Sequence, residues 1–106
     1  MTKAKKLIRH LMAGKCKEGE TTTVENLEEL NKLYELKVKE ELEEIKSSDH
    51  KDLMEFVDLI QVGFSFANIN GFTHEEIVAG LLEKSFTKGV FKNIVLTDLN
   101  PHNPSN

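Results

Sequence analysis

The sequence has few of the residues that cross-link or interrupt a small fold. Its single cysteine, Cys16, excludes both a disulfide framework and a thiolate metal site. Its two prolines, Pro101 and Pro104, lie at the C-terminal end, so residues 1–100 contain none. Leu, Glu and Lys, which favour helices, dominate the rest of the chain. The sequence therefore predicts an all-α protein.

The chain also lacks an excess of positive charge. It has 14 Lys and Arg against 18 Asp and Glu, a net charge of −4, which excludes the basic footprint of a nucleic-acid-binding protein. No apolar run approaches the length of a membrane span, and residues 1–10 lack the apolar centre of a signal peptide. We therefore expect a cytoplasmic protein that binds neither a nucleic-acid polymer nor a membrane.

A chain of 106 residues predicts one small domain. We assign residues 1–20 to a basic N-terminal segment and residues 21–96 to an all-α domain. Residues 97–106 form a polar, proline-containing tail that we expect to be disordered. At the end of the domain, residues 91–96 are β-branched enough to predict a short strand or an extended arm.

Capping signals and periodicity predict three helices, over 24–46, 49–70 and 73–88. Capping-box patterns at Thr22–Glu25 and Thr73–Glu76 mark the starts of the first and third helices. Gly71 and Gly89 mark the ends of the second and third helices, because glycine adopts the left-handed conformation at little cost. We expect the first two helices to form an antiparallel hairpin that the third helix completes.

Four carboxylates interrupt the apolar stripes of the first two predicted helices: Glu41, Glu44, Glu55 and Asp58. Glu41, for example, lies three residues after Val38 and four before Ile45, so it falls inside the apolar face of the first helix. Glu40 and Glu43 point away from that face, and we expect both to be solvated. The four inward acids are therefore unusual, because charged residues of such helices are expected on the solvent-facing side.

The four acids are spaced symmetrically about the break at 47–50. Glu44 and Glu55 are nearly equidistant from it, and so are Glu41 and Asp58, so each pair would face the other in a short-looped hairpin. Buried carboxylates without partners are costly, and a cation would neutralise them. A ligand set made only of oxygen atoms favours Mg²⁺ or Mn²⁺ over Zn²⁺.

A solvated charged face is the simpler alternative for these acids. Lys37 would then pair with Glu41 or Glu44, as is common on helices rich in Glu and Lys. That explanation suffices for Glu40 and Glu43. For the four inward acids, their repeated three-residue spacing on core-facing stripes favours the metal hypothesis.

The distribution of apolar residues on the second predicted helix indicates self-association. Besides the stripe that carries its acids, this helix has a separate apolar face formed by Leu53, Phe56, Val57, Ile60, Phe64 and Ala67. Two flanking helices of one chain could not cover both faces. We therefore expect an oligomeric helical bundle, either a dimer or a dimer of dimers.

The acidic pattern resembles a known signature. EELEE at 40–44 followed by EFVD at 55–58 is similar to the E-x-x-E…E-x-x-D signature of the all-α nucleoside triphosphate pyrophosphohydrolases, the MazG-like superfamily. Three further elements resemble its phosphoribosyl-ATP pyrophosphohydrolase-like branch: KLIR (6–9), NGFTHEEI (70–77) and LEKSFTKGVF (82–91). The sequence departs from that branch at 10–13, where HLMA replaces D-K-I-P, and at Val90, where the branch has a second glycine.

The resemblance implies a function and a set of site residues. It implies hydrolysis of a nucleoside triphosphate, or of a phosphoribosyl-ATP-like substrate, at a phosphoanhydride bond, in a homodimer or homotetramer. It implies Mg²⁺ ligands at Glu41, Glu44, Glu55 and Asp58. The matching positions near substrate phosphates are Lys84, Lys88 and Arg9.

Catalysis would use the cation to activate water and neutralise phosphate charge, with Glu41 or Glu44 as proton acceptor. Lys84 and Lys88 have an alternative role, since they could simply cover the apolar face of the third helix. The alternative function for the whole chain is a non-catalytic helical oligomerisation module derived from the same fold. The four inward acids favour the enzyme, because such a module has no need of them.

Overall fold

Three α-helices form the regular structure of this protein. The computed structural model describes residues 6–9, 15–16, 19 and 23–92, with helices α1 (Leu27–Ser47), α2 (Leu53–Ile69) and α3 (His74–Lys88) and no strand among these residues. Helix α1 packs along α2 as an antiparallel hairpin, and α3 contacts α2 over a smaller area. The predicted all-α fold is confirmed. None of the described helices has both the length and the apolar character needed to cross a bilayer.

Helix α1 begins later than the sequence predicted. It starts at Leu27 and is capped by Asn26, whose side-chain oxygen accepts a hydrogen bond of 3.0 Å from the backbone N–H of Glu29. Glu25 therefore lies outside the helix and is not the third residue of the capping box predicted for Thr22–Glu25; Thr22 itself lies outside the described residues. Asn is at least as good an N-cap as Thr, and acidic residues in the following turn complement the helix dipole.

The turn between α1 and α2 closes α1 with a Schellman motif. The His50 N–H donates to the carbonyl of Ile45 at 3.0 Å, and the Asp49 N–H donates to the carbonyl of Lys46 at 2.9 Å. Asp49 and His50 have positive φ angles of 58° and 62°. Asp and His tolerate this conformation better than most residues, so the chain reverses within a few residues.

Helix α2 runs from Leu53 to Ile69, so it begins four residues later than the predicted start at Asp49, which lies in the turn. Asp52 caps its start by accepting a hydrogen bond of 3.0 Å from the Met54 N–H. Its end repeats the Schellman motif, with the Phe72 N–H donating to the Ala67 carbonyl at 3.2 Å. The helix stop predicted at Asn70-Gly71 is confirmed.

Helix α3 begins with the predicted capping box. The Thr73 hydroxyl accepts from the Glu76 N–H at 3.1 Å, and the Glu76 carboxylate accepts from the Thr73 N–H at 3.1 Å. Gly89 follows the last helical residue with a φ of 81°, as predicted for a glycine stop. Both predicted ends of α3 are therefore confirmed.

Contacts along the hairpin fix the register of α1 against α2. The Tyr34 ring stacks on the Phe66 ring with centroids 5.4 Å apart. At the same end, the side-chain amide of Asn70 donates to Asn31 at 2.7 Å. Among the described residues, the buried apolar side chains are Ile45 and Val62, which are 3 % and 9 % exposed. This register places the C-terminal half of α1 opposite the first half of α2.

The second apolar face of α2 is only partly covered. Leu53 is 72 % exposed and Ile60 58 % exposed, although both lie in a helix that packs between two others. On α3, Leu82 and Phe86 are 67 % and 93 % exposed. The described part of one chain therefore leaves a large apolar surface in water.

Several predictions concern residues that the structure describes only in part. The N-terminal segment 1–20 is described at 6–9, 15–16 and 19 alone. Of the strand or arm predicted at 91–96, only residues 91 and 92 are described, and neither is in a strand. The remainder of that stretch and the tail at 97–106 lie outside the described residues.

Candidate metal centre

The four predicted ligands converge at the interface of α1 and α2. One carboxylate oxygen from each of Glu41, Glu44, Glu55 and Asp58 lies within 4.8 Å of the other three. Within each helix the two acids are three residues apart and project from the same side. The hairpin register then brings the two pairs together. The predicted convergence is confirmed, and ligation of an ion by these residues stays a prediction.

Glu41 lies deepest in this acid cluster. It is only 4 % exposed and is the one charged residue among those described that is buried to this extent. Its Oε2 atom has no hydrogen-bond partner, and the same holds for Oε2 of Glu55. Buried carboxylate oxygens without donors are costly and rare. An unsatisfied acceptor inside a group of acids is what a cation site requires.

The dimensions of the cluster fit a small divalent cation. Mg²⁺ binds oxygen at about 2.1 Å, so ligands on opposite sides of the ion are about 4.2 Å apart. The cluster oxygens, all within 4.8 Å of one another, need only small side-chain rotations to reach that spacing. Four carboxylate ligands also suit Mg²⁺ or Mn²⁺ better than softer metals.

Proton affinities in the cluster reflect its crowding. Burial raises the pKa of Glu41, and the nearby carboxylates of Glu44 and Asp58 add to this rise while Lys37 opposes it. Loss of solvation also raises the pKa of Glu55, together with a hydrogen bond to Glu44 and the charges of neighbouring acids. The folded protein thus resists full ionisation of the cluster.

Glu40 belongs to the cleft beside the cluster, and its predicted solvation is wrong. Its carboxylate lies 3.1 Å from the ammonium of Lys37 and 3.1 Å from that of Lys6. Loss of solvation acts to raise the pKa of Glu40, but these two cations outweigh it and lower that pKa. The inward face of α1 is wider than its apolar residues suggested, because it includes Lys37. Glu43 is exposed and pairs with Lys46, as predicted for a solvated residue.

Lys37 is the least exposed of the three cations Lys6, Arg9 and Lys37 that line the cleft. Its side chain is 17 % exposed and lies 3.4 Å from Glu41 as well as close to Glu40. Burial acts to lower the pKa of Lys37, but the two carboxylates outweigh it and raise that pKa. Lys37 pairs with Glu41, as the alternative of a solvated charged face required, but Glu41 is buried and not solvated. This pairing occupies one oxygen of Glu41 and leaves the other without a partner.

The N-terminal segment 6–9 lies across this cleft. Arg9 donates from one guanidinium nitrogen to Asp58 Oδ1 and from the other to Gln61 Oε1. Lys6 reaches Glu40, as described above. Arg9, which the resemblance placed near substrate phosphates, is therefore bound to a candidate metal ligand in this structure.

The cleft itself has a volume of about 350 Å³. Its walls come from the N-terminal segment, α1 and α2: Lys6, Leu7, Ile8, Arg9, Tyr34, Lys37, Glu40, Glu41, Glu44, Asp58, Gln61, Val62 and Ser65. Gln61 and Ser65 are not among the site residues predicted from the sequence. Both lie at helical spacing from Asp58, three and seven residues on, so periodicity offered a usable signal.

Lys84 and Lys88 lie away from the acid cluster. Both are exposed on α3, which contacts α2 but not α1 among the described residues. Neither residue lines the cleft. A single chain thus does not bring them to the candidate metal ligands, and their role near substrate phosphates stays a prediction.

Comparison of the chain with protein-family models, curated proteins and solved structures found no significant match. The resemblance to the all-α pyrophosphohydrolases therefore rests on the sequence motifs described above. The geometry of the acid cluster is independent of that resemblance. It follows from two pairs of inward acids and the register of one helical hairpin.

Proposed function

We propose that this protein is a divalent-metal-dependent nucleotide pyrophosphohydrolase. One observation carries the proposal. Four carboxylates converge at a helix interface, and two of their buried oxygens have no hydrogen-bond partner. Structural acids on a helix surface would instead have each oxygen exposed to water or bound to a donor. The substrate class, a nucleoside triphosphate or a phosphoribosyl-ATP-like molecule, comes from the resemblance of the motifs.

In this proposal the four acids bind the metal, and one of them also accepts a proton. Glu41, Glu44, Glu55 and Asp58 would hold Mg²⁺ or Mn²⁺, which supplies activated water and neutralises phosphate charge. Water attacks phosphorus, the phosphoanhydride P–O bond breaks, and pyrophosphate leaves with a nucleoside monophosphate as the other product. Glu44 is less buried than Glu41 and would accept the proton that the water loses.

The cleft supplies cations for the phosphate groups. Lys6, Arg9 and Lys37 line the same cleft as the acids, so positive charge lies beside the candidate metal position. Phosphate oxygens bind such ammonium and guanidinium groups strongly. Lys84 and Lys88 lie outside the cleft of their own chain, so we assign them a phosphate-binding role only across a subunit interface.

A pyrophosphate-release screen tests this function. Purified protein would be incubated with standard and damaged nucleoside triphosphates and with phosphoribosyl-ATP, in Mg²⁺ or Mn²⁺. We expect at least one substrate to yield pyrophosphate and a monophosphate in equal amounts, and we expect a chelator to abolish the reaction. Release that persists after chelation would contradict the metal-dependent mechanism.

A non-catalytic oligomerisation module is the second candidate function. The uncovered apolar residues of α2 and α3 favour self-association whether or not the protein is an enzyme. We propose a homodimer or homotetramer in either case. The two functions differ at the cluster, because a module would bind neither Mg²⁺ nor Mn²⁺ specifically and would release no pyrophosphate.

A further inference from the structure

The N-terminal segment supplies a positive charge to the candidate metal centre. Arg9 contacts Asp58 Oδ1, one of the four converging acids, and also Gln61 one turn further along α2. The side chain of Asp58 is 31 % exposed and that of Arg9 is 54 % exposed. The contact therefore lies at the mouth of the cleft, where a cation from solvent would arrive.

We propose that Arg9 is an internal counter-ion of Asp58, and that a divalent cation must displace it from this carboxylate in order to bind. The inference rests on the proposed metal site and adds a residue that competes for it. The guanidinium replaces part of the missing positive charge when the site holds no ion. The affinity for the metal then equals the free energy gained from the contact between ion and carboxylate, less the free energy lost when the Arg9–Asp58 contact breaks.

Electrostatics explains why the two cations compete. A divalent ion held by Asp58 would lie within a few ångströms of a guanidinium bound to the same side chain. Like charges at that separation repel strongly where water is partly excluded. One Asp58 oxygen lies within 4.8 Å of oxygens of the other three acids, so an ion held among all four would lie close to a guanidinium bound to Asp58.

The other two cations of the cleft are placed differently. Lys6 pairs with Glu40, which is not among the four converging acids. Lys37 does touch Glu41, but Glu40 holds it at a shorter distance, 3.1 Å against 3.4 Å. Lys37 can therefore stay in place when an ion binds Glu41. Arg9 is thus the residue whose contact an ion would have to break.

The pair Lys6 and Arg9 provides a matched comparison. Replacing either residue by glutamine removes one positive charge from the same four-residue segment, so both variants change the long-range potential similarly. Only Arg9→Gln removes the contact with Asp58. Gln61→Ala is a second variant that leaves all charges intact and takes away the other anchor of the Arg9 side chain.

Calorimetric titration of the full chain with Mn²⁺ alone tests the inference. We expect Arg9→Gln to bind Mn²⁺ roughly tenfold more tightly than the parent, which corresponds to about 1.4 kcal/mol. Lys6→Gln should change the affinity by about twofold or less, because Lys6 contacts Glu40 and none of the four converging acids, and its exposed charge is screened by solvent. Gln61→Ala should tighten binding as well, by less than Arg9→Gln.

Two results would overturn the inference while leaving the proposed function intact. One is equal affinity of Arg9→Gln and Lys6→Gln for Mn²⁺. The other is weaker binding by Arg9→Gln, which would mean that Arg9 supports the ligand and does not compete with the ion. If Arg9→Gln does not fold, Gln61→Ala decides by the same criterion. Absence of Mn²⁺ binding by all four proteins would overturn the inference and the proposed metal site together.

Discussion

Glu41 combines the two properties that make a carboxylate useful in catalysis. It is almost fully buried, and one of its oxygens lacks a hydrogen-bond partner. Lys37 neutralises part of its charge through the other oxygen. A residue in this position is costly to the metal-free fold, and the proposed cation would complete its contacts.

Replacing Glu41 by glutamine should separate activity from folding. Glu41→Gln keeps the volume of the side chain and removes its charge, so we expect a folded protein whose pyrophosphate release falls by at least about a hundredfold. We also expect Mg²⁺ to raise the melting temperature of the parent by binding to the folded state, and we expect that rise to be smaller for Glu41→Gln. Melting curves and steady-state pyrophosphate release measure the two effects.

Glu43→Gln is the matched control for that substitution. It makes the same chemical change two residues away, at an exposed side chain that pairs with Lys46. We expect turnover and metal stabilisation close to those of the parent. Equal damage from Glu43→Gln and Glu41→Gln would remove the basis for a site at the inward face of α1.

The stability of the metal-free protein should depend on pH through its raised carboxylate pKa values. Glu41 and Glu55 both have pKa values above the ordinary 4.5, so the folded state holds protons that the unfolded state has released. Their contribution to the free energy of unfolding is complete at pH below 4.5, and it is lost as the pH rises through the pKa values of the folded state. The lowered pKa of Glu40 acts in the opposite direction and only at lower pH.

Melting temperatures of the parent and of Glu41→Gln, both treated with chelator and measured from pH 5 to pH 7, isolate the contribution of Glu41 to this pH dependence. We expect the melting temperature of the variant to rise relative to that of the parent as the pH increases, because glutamine does not titrate. A difference between the two proteins that stays constant over this range would contradict a raised pKa at Glu41.

At the scale of single elements, the turns that end the helices set the positions at which the acids of α1 and α2 face each other. The turn that follows α1 and the turn that follows α2 use the same Schellman hydrogen bonds. After α2 the left-handed position is occupied by Gly71, with a φ of 95°. A substitution there tests the backbone directly, since a Cβ atom at Gly71 would meet nothing within 4 Å.

Gly71→Ala should therefore destabilise the protein through its backbone alone. We expect a loss of about 1 kcal/mol, because an L side chain disfavours the left-handed conformation by roughly that amount. Gly80→Ala is the matched control, since Gly80 lies inside α3 and a Cβ atom there also meets nothing within 4 Å. That change should stabilise the helix by about 0.5–1 kcal/mol. Urea unfolding measures both, and equal effects of the same sign would contradict the assigned helix end.

At the scale of the whole molecule, the uncovered apolar face of α2 decides the expected assembly. Leu53 and Ile60 are more than half exposed on a helix whose opposite face is already packed against α1. A second copy would bury this face and stabilise a chain with a small core of its own. The same contact would bring α3 of one subunit towards its neighbour.

Light scattering should show a dimer or larger assembly at micromolar concentration. Ile60→Glu places a charge in the uncovered face, and we expect it to lower the measured mass towards that of a monomer. Lys39→Gln changes the net charge by the same amount at an exposed polar position of α1, and it should leave the mass unchanged. A folded monomer for the parent would contradict self-association through this face.

The sequence alone determined the parts of this protein that depend on local geometry. Helical periodicity has a fixed angle per residue, so the inward direction of Glu41 and Asp58 could be predicted from their neighbours. Turn chemistry located the ends of α2 and α3, since Gly71 and the Thr73–Glu76 capping box act over a few residues. Symmetric spacing about a short turn then predicted that the four acids would meet.

Only the tertiary structure decided which residues surround those acids. Arg9 and Asp58 are 49 positions apart, and no periodic pattern relates them. The sequence predicts a solvated Glu40, because local spacing does not reveal its contact with Lys6, which lies in a separate segment. Long-range contacts depend on the path of the chain between elements, and that path is set by packing of the whole hairpin. The charge balance of the candidate site is therefore a tertiary property, although its acids are encoded locally.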